Sequence, residues 1–185
     1  MCAGNHDIVF QRLMAYKKEH CNISVDNEWL EEYAHEYIPE YLRFPDKLVY
    51  LQDSSYWFED KLFYGSPWCP ALSNWAFYKS SSDLINTFGK IPNKVDVLIT
   101  HTPGSDVFDT GISTFSDGTQ RHFGSKELSS VIFDSSDRQI GLWLCGHIHS
   151  GNHNVSTYNN GMKVVNVSLI DEDYKVAYEP FVIEI

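Results

Sequence analysis

Val95-Asp96-Val97-Leu98-Ile99-Thr100-His101-Thr102-Pro103 is the stretch that decides the fold of this 185-residue chain. Val95, Val97, Leu98 and Ile99 make a short apolar run, which predicts a buried strand from Val95 to Thr100 with His101 at its carboxyl end. A second such run, Ile140 to Cys145, predicts a strand that delivers Gly146-His147-Ile148-His149. Ser80 to Phe88 and Ser125 to Phe133 read as helices set among these strands. This alternation predicts a layered α/β domain in which helices cover sheets. Ligand-bearing loops at the carboxyl ends of strands are where such folds place their chemistry.

Flanking elements are strand-like. Tyr56-Trp57-Phe58 and Lys61-Leu62-Phe63-Tyr64, joined by Glu59-Asp60, predict a hairpin. Leu48 to Leu51, Val164 to Leu169 and Pro180 to Ile185 read as further strands. Helices are expected from His6 to about Cys21 and from Glu28 to Pro39. No repeat and no linker divides the chain, so residues 1–185 read as one domain.

Hydrophobic content of 43% and aromatic content of 15% favour a packed core over disorder. A formal charge of -11 argues against a general nucleic-acid binder, because a polyanion is repelled over most of the surface. Cys2, Cys21, Cys69 and Cys145 are widely spaced, which predicts free thiols and a cytoplasmic setting. No apolar run approaches the roughly 20 residues that cross a bilayer, so no membrane partner is expected. Asn22, Asn154 and Asn166 head glycosylation-like triplets, read as chance matches.

Three short motifs carry chemistry. In Gly146-His147-Ile148-His149, residues i and i+2 of an extended segment would point the same way, so both imidazoles could face one site. Two such groups suit two ions roughly 3.5–4 Å apart. The bland alternative packs one imidazole and solvates the other. In Gly4-Asn5-His6-Asp7, Asn5 offers a neutral amide oxygen and His6 a proton-transfer group, while Asp7 orients an imidazole or caps a helix. A simple turn with a cap is the alternative there. His101 is a lone candidate at a strand end. His20, His35, His122 and His153 receive no metal role. The aromatics from Tyr56 to Phe77 read as core and pocket wall, since base-stacking platforms are interleaved with basic residues.

In order and approximate spacing, these motifs resemble the calcineurin-like metallophosphoesterase pattern. Tyr64-Gly65-Ser66-Pro67-Trp68, Trp75-Ala76-Phe77, Gly146-His147-Ile148-His149-Ser150-Gly151 and Val165-Asn166-Val167-Ser168 look like its metallophosphoesterase-domain-containing subfamily. The resemblance implies a four-layer α-β-β-α sandwich with a dinuclear site. It implies that Asn5, His101 and His147 bind one divalent ion and His149 the other, with His6 as general acid. The implied reaction is hydrolysis of a small phosphodiester by a metal-activated hydroxide. Manganese, iron, zinc or cobalt would suit the mixed nitrogen and oxygen donors.

The family's Asp-x-His and Gly-Asp motifs would fall upstream of Gly4. The chain is therefore expected to be N-terminally truncated and to lack strands of the family domain. Its remaining donors are neutral, so weak ion binding, a nearly empty second position and poor hydrolysis are expected of this chain alone. The rival expectation is a catalytically inactive fold that serves as a protein-binding module.

Overall fold

The computed structural model describes residues 2–7, 11, 49–70, 75–112, 120–151 and 154–185. In chain order the elements are β1 (Ser54–Phe58), β2 (Lys61–Ser66), β3 (Cys69–Pro70), β4 (Tyr78–Lys79), α1 (Ser81–Phe88) and β5 (Lys94–Thr100). There follow β6 (Thr110–Ile112), β7 (Gln120–His122), α2 (Lys126–Phe133), β8 (Gln139–Cys145), a 3-10 turn (His149–Gly151), β9 (Val155–Thr157) and β10 (Lys163–Asn166).

One six-stranded sheet has the order β1-β2-β5-β8-β10-β9. Its four inner strands run parallel, and β1 and β9 pair antiparallel at the two edges. Parallel strands need cover on both faces, which is why β5 and β8 are apolar on both sides. On one face Leu98, Trp143 and Val164 pack against Leu84 and Phe88 of α1 and Leu128 and Ile132 of α2. On the other, Val97, Leu142 and Val165 meet Phe181 and Ile183 of the carboxyl-terminal segment. The result is an α/β fold with a mixed sheet.

Both expected helices in the described core form. Each begins one residue after its serine, because the serine is the cap: Ser80 Oγ accepts from the Asp83 N–H and Ser125 Oγ from the Leu128 N–H. The hairpin forms with its register set by Phe58 opposite Lys61.

Other expectations are corrected. Residues 49–51 are not a strand, and Leu51 is instead buried beneath β2, against Gly65; Leu48 lies outside the described residues. The strand expected from Val164 to Leu169 runs from Lys163 to Asn166 and stops there. Pro180 to Ile185 joins no ladder and is held by packing of Phe181 and Ile183. His6 lies in a turn rather than a helix; of the helix expected to Cys21, Gln11 is described as helical, with its N–H on the Asp7 carbonyl at 2.9 Å. The helix expected from Glu28 to Pro39 lies outside the described residues. The short strands β3, β4, β6, β7 and β9 were not anticipated, since two or three residues carry no readable period.

Candidate metal centre

The adjacent ends of β2, β5 and β8 are laced together by backbone. The His101 N–H donates to the Ser66 carbonyl at 3.2 Å, and the Gly146 N–H to the His101 carbonyl at 3.0 Å. Behind them, Trp143 Nε1 donates to Thr100 Oγ1 at 2.8 Å, and Thr100 Oγ1 donates to the Thr102 carbonyl at 2.7 Å. These bonds fix the loop that carries His101. Asn5 arrives on a separate turn, closed by the Asp7 N–H on the Gly4 carbonyl and by the Gly4 N–H on Asp7 Oδ2 at 2.7 Å. The Ala76 N–H clamps that turn through the Asn5 carbonyl at 2.8 Å. Asp7 thus braces the turn and does not orient His6.

Remote residues converge here. Asn5 Oδ1 accepts from His101 Nε2 at 2.7 Å and from His147 Nδ1 at 3.2 Å. Two donors bound at about 2.1 Å to one ion lie about 3.0–3.4 Å apart, for octahedral and tetrahedral angles respectively. The observed separations are close to that spacing, so the donor set suits a transition-metal dication in both chemistry and reach. His149 donates from Nδ1 to the Asp171 carbonyl at 2.8 Å. That bond selects the tautomer whose Nε2 is free to ligate, a usual support for metal-binding imidazoles. His6 is exposed and stands edge-on to Trp75 and Tyr174, with ring centroids 4.4 and 5.3 Å away. Asn5, His6, His101, His147 and His149 all border one cavity of about 400 Å³, with Trp75, Glu172 and Tyr174 on its wall.

The route by which His147 and His149 meet differs from the expectation. The segment is not extended: the Ile148 N–H bonds the Gly146 carbonyl at 2.8 Å around His147, whose φ is +68°. This is the rarer, strained hand of the γ-turn. A 3-10 turn follows from His149. Two sharp bends, rather than strand alternation, bring both rings to the cavity. Strain of this kind accumulates at functional sites.

Burial and the neighbouring imidazoles hold His101 well below the usual histidine range, and burial with repulsion from His149 and His6 brings His147 down to about 4. Both rings are therefore neutral, and ready as ligands, at neutral pH. The sign for stability follows from linkage. Between the ordinary value of 6.5 and about 4, the unfolded chain binds more protons at His147 than the folded chain, so stability falls as pH drops through that window. Thermal melts of the apo protein are expected to fall steeply from pH 6.5 to pH 4, and His101→Gln to flatten the slope. An equal slope in that variant contradicts the assignment.

Gly4 lies flat on the His101 ring. A Cβ there would sit 2.5 Å from His101 Nδ1. Gly4→Ala is expected to tilt the ring and weaken ion binding by about tenfold or more, measured by calorimetry, with a stability loss of about 1–3 kcal/mol.

Sequence reasoning missed two supports. The loop after β10 is shaped by Asp171 Oδ1, which accepts the Asp173 and Lys175 N–H groups at 2.9 and 3.0 Å, and it carries Tyr174 to the His149 ring. Asp171-Glu172-Asp173 signals a turn, but nothing local says that the turn returns to the cavity. Asn166 is fully buried; its Nδ2 donates to the Ile148 carbonyl at 2.8 Å and its Oδ1 accepts from the Ser168 N–H at 3.0 Å. It holds the histidine turn, and its burial closes that triplet to glycosylation.

No family model matches the chain. Among curated proteins it is 31% identical over 141 residues to the UPF0046 protein T07D4.2 of Caenorhabditis elegans, covering 74% of this chain and 32% of that protein. It is 29% identical over 190 aligned positions to human metallophosphoesterase domain-containing protein 1, covering 99% of this chain and 53% of that protein. A third match, 27% identical, covers 80% of this chain but 12% of the probable rhamnogalacturonate lyase C of Emericella nidulans. The chain thus spans a third to a half of the metallophosphoesterase and UPF0046 relatives and a small part of the lyase. With the likeness to the human protein running through nearly its whole length, the chain stands in a metallophosphoesterase-family relationship.

Proposed function

We propose that this chain carries much of a metal-dependent phosphoesterase site and that the complete protein hydrolyses a small phosphodiester. The observation that carries the reading is the meeting of His101 and His147 on the single amide oxygen of Asn5. In it, Asn5, His101 and His147 hold one divalent ion and His149 serves a second, chosen from manganese, iron, zinc or cobalt. When bound, the ions supply positive charge and lower the pKa of water enough for attack at neutral pH.

The chain's own residues do the rest. His6, at the exposed mouth, protonates the leaving alkoxide. In the free protein its pKa is lowered, by desolvation first and then by His149, against the opposing pull of Asp7. A bound phosphodiester anion acts the other way and favours the protonated ring that the role requires. Trp75 and Tyr174 flank His6 and restrict its rotation. A cavity of about 400 Å³ accommodates a small ligand, and the net charge of -11 disfavours a nucleic-acid polymer.

The donors from Asn5, His101, His147 and His149 are all neutral, so carboxylates from elsewhere in the complete protein would offset two dications. The four-layer sandwich belongs to the same reading, with the six-stranded sheet as one of its β layers. Among the described residues no helix is long and apolar enough to cross a membrane, and the free thiols Cys2, Cys69 and Cys145 suit a cytoplasmic setting. Assay of the full gene product with a chromogenic aryl phosphodiester and manganese is expected to show phenolate release that a chelator stops. Ion binding without release across manganese, iron, zinc and cobalt defeats catalysis. That outcome favours the second reading, an inactive fold used as a protein-binding module, to which the neutral donor set and the exposed Tyr56, Trp57 and Phe58 of edge strand β1 lend support.

A further inference from the structure

A second group of metal-binding side chains stands at the β6/β7 hairpin. Asp106, Asp109 and His122 each offer one ligand atom, and these atoms lie within 4.8 Å of one another. His122 Nδ1 lies 2.9 Å from Asp109 Oδ1 and 3.8 Å from Asp106 Oδ1. For an ion about 2.2 Å from each donor, those separations subtend angles of about 80° and 120°, which transition-metal dications accept.

The independent sign of a missing partner is Asp109 itself. Its side chain is 2% exposed, and its Oδ2 is buried without a hydrogen-bond partner among the described residues. A buried carboxylate oxygen with no donor calls for a partner, and beside an imidazole already on Oδ1 and a second carboxylate a cation would supply one. The carboxylate is also held in place. The Phe123 N–H bonds the Asp109 carbonyl at 2.9 Å, and a Cβ on Gly124 would lie 2.7 Å from the Asp109 Cβ, so glycine is what lets the hairpin close over it.

We propose that Asp106, Asp109 and His122 form a mononuclear site for a divalent transition-metal ion of the zinc or manganese class, separate from the Asn5 centre. Two carboxylates balance one dication here, whereas the donors around Asn5 are neutral. One imidazole with two carboxylates suits zinc, manganese or iron better than an all-oxygen calcium site. Its role follows from position. Gly111 and Phe123, each one residue beyond the paired Thr110 and His122, line the cavity that Asn5 and His147 border. Ser150 Oγ donates to the Thr110 carbonyl at 2.9 Å and ties β6 to the turn that carries His149. An ion bridging the loop and the hairpin would therefore stiffen that wall of the cavity.

The test is zinc calorimetry on the full chain carrying His147→Ala, which removes a donor from the Asn5 centre. Zinc binding is expected to persist at a single site, and adding His122→Ala is expected to weaken it by about tenfold or more. Asp106→Asn should shift it in the same direction. Both side chains are largely exposed, at 63% and 86%, so the fold is kept and a thermal melt verifies it. Zinc affinity that is unchanged by His122→Ala, or no zinc bound by the His147→Ala chain at millimolar concentration, overturns the proposal. His122→Ala in the otherwise unaltered chain is expected to spare binding at the Asn5 centre, so failure of either site is read separately.

Discussion

Under the proposed function, replacing His147 with alanine is expected to lower metal-dependent hydrolysis by the complete protein on the order of a thousandfold or more, and to abolish ion binding at Asn5 and His101. The effect is large because the proposed ion has three donors, and with His147 gone only His101, among the described imidazoles, is hydrogen-bonded to Asn5 Oδ1. The variant also carries a signature that general misfolding does not. His147 is among the causes that depress His101, so without it the His101 pKa rises toward its ordinary value. The apo variant is then expected to resist acid better than the parent while binding the ion worse. The φ of +68° at His147 disfavours alanine, so His147→Gly serves as the companion variant and should lose activity equally. Full activity in either variant defeats the ligand assignment.

Trp143→Ala is expected to cost about 3–5 kcal/mol of stability, the range for an aromatic removed from a packed core. Trp143 of β8 is fully buried in the cluster it shares with both helices, and its indole N–H bonds Thr100 Oγ1 one residue before His101. Against a typical total of about 5–15 kcal/mol, that loss leaves the chain close to unfolding. Trp143→Phe keeps the apolar volume better and drops the hydrogen bond, for a loss of about 1–2 kcal/mol. Urea midpoints measure both, with an unchanged slope verifying a two-state comparison. A Trp143→Ala midpoint within about half a kcal/mol of the parent contradicts the packing described here.

The strands that hold the site were legible because they are buried on both faces: Val95-Asp96-Val97-Leu98-Ile99 and Ile140-Gly141-Leu142-Trp143-Leu144-Cys145 leave little choice but interior parallel strands. The helices were legible through their serine caps. Less could be read of the chain's returns to the cavity. Tyr174 reaches His149 through a polar turn far along the sequence, and the β6/β7 hairpin sets His122 against Asp109 across thirteen positions. Neither relation has a local period or composition. The histidine pair was placed in the right cavity for the wrong local reason, since a strained γ-turn at His147 is invisible to patterns that assume regular backbone. His122 carries no metal signal in the sequence, because its carboxylate neighbours Asp106 and Asp109 are brought to it only by the loop and hairpin.

The proposed function requires one ion shared by Asn5, His101 and His147. Anomalous scattering from crystals of this chain loaded with zinc measures this most directly. A peak within ligand distance of Asn5 Oδ1, His101 Nε2 and His147 Nδ1 at saturating zinc, absent from His147→Ala crystals, is the expected result. No zinc there, with His101 and His147 still hydrogen-bonded to Asn5 Oδ1 whatever other sites are filled, would contradict it.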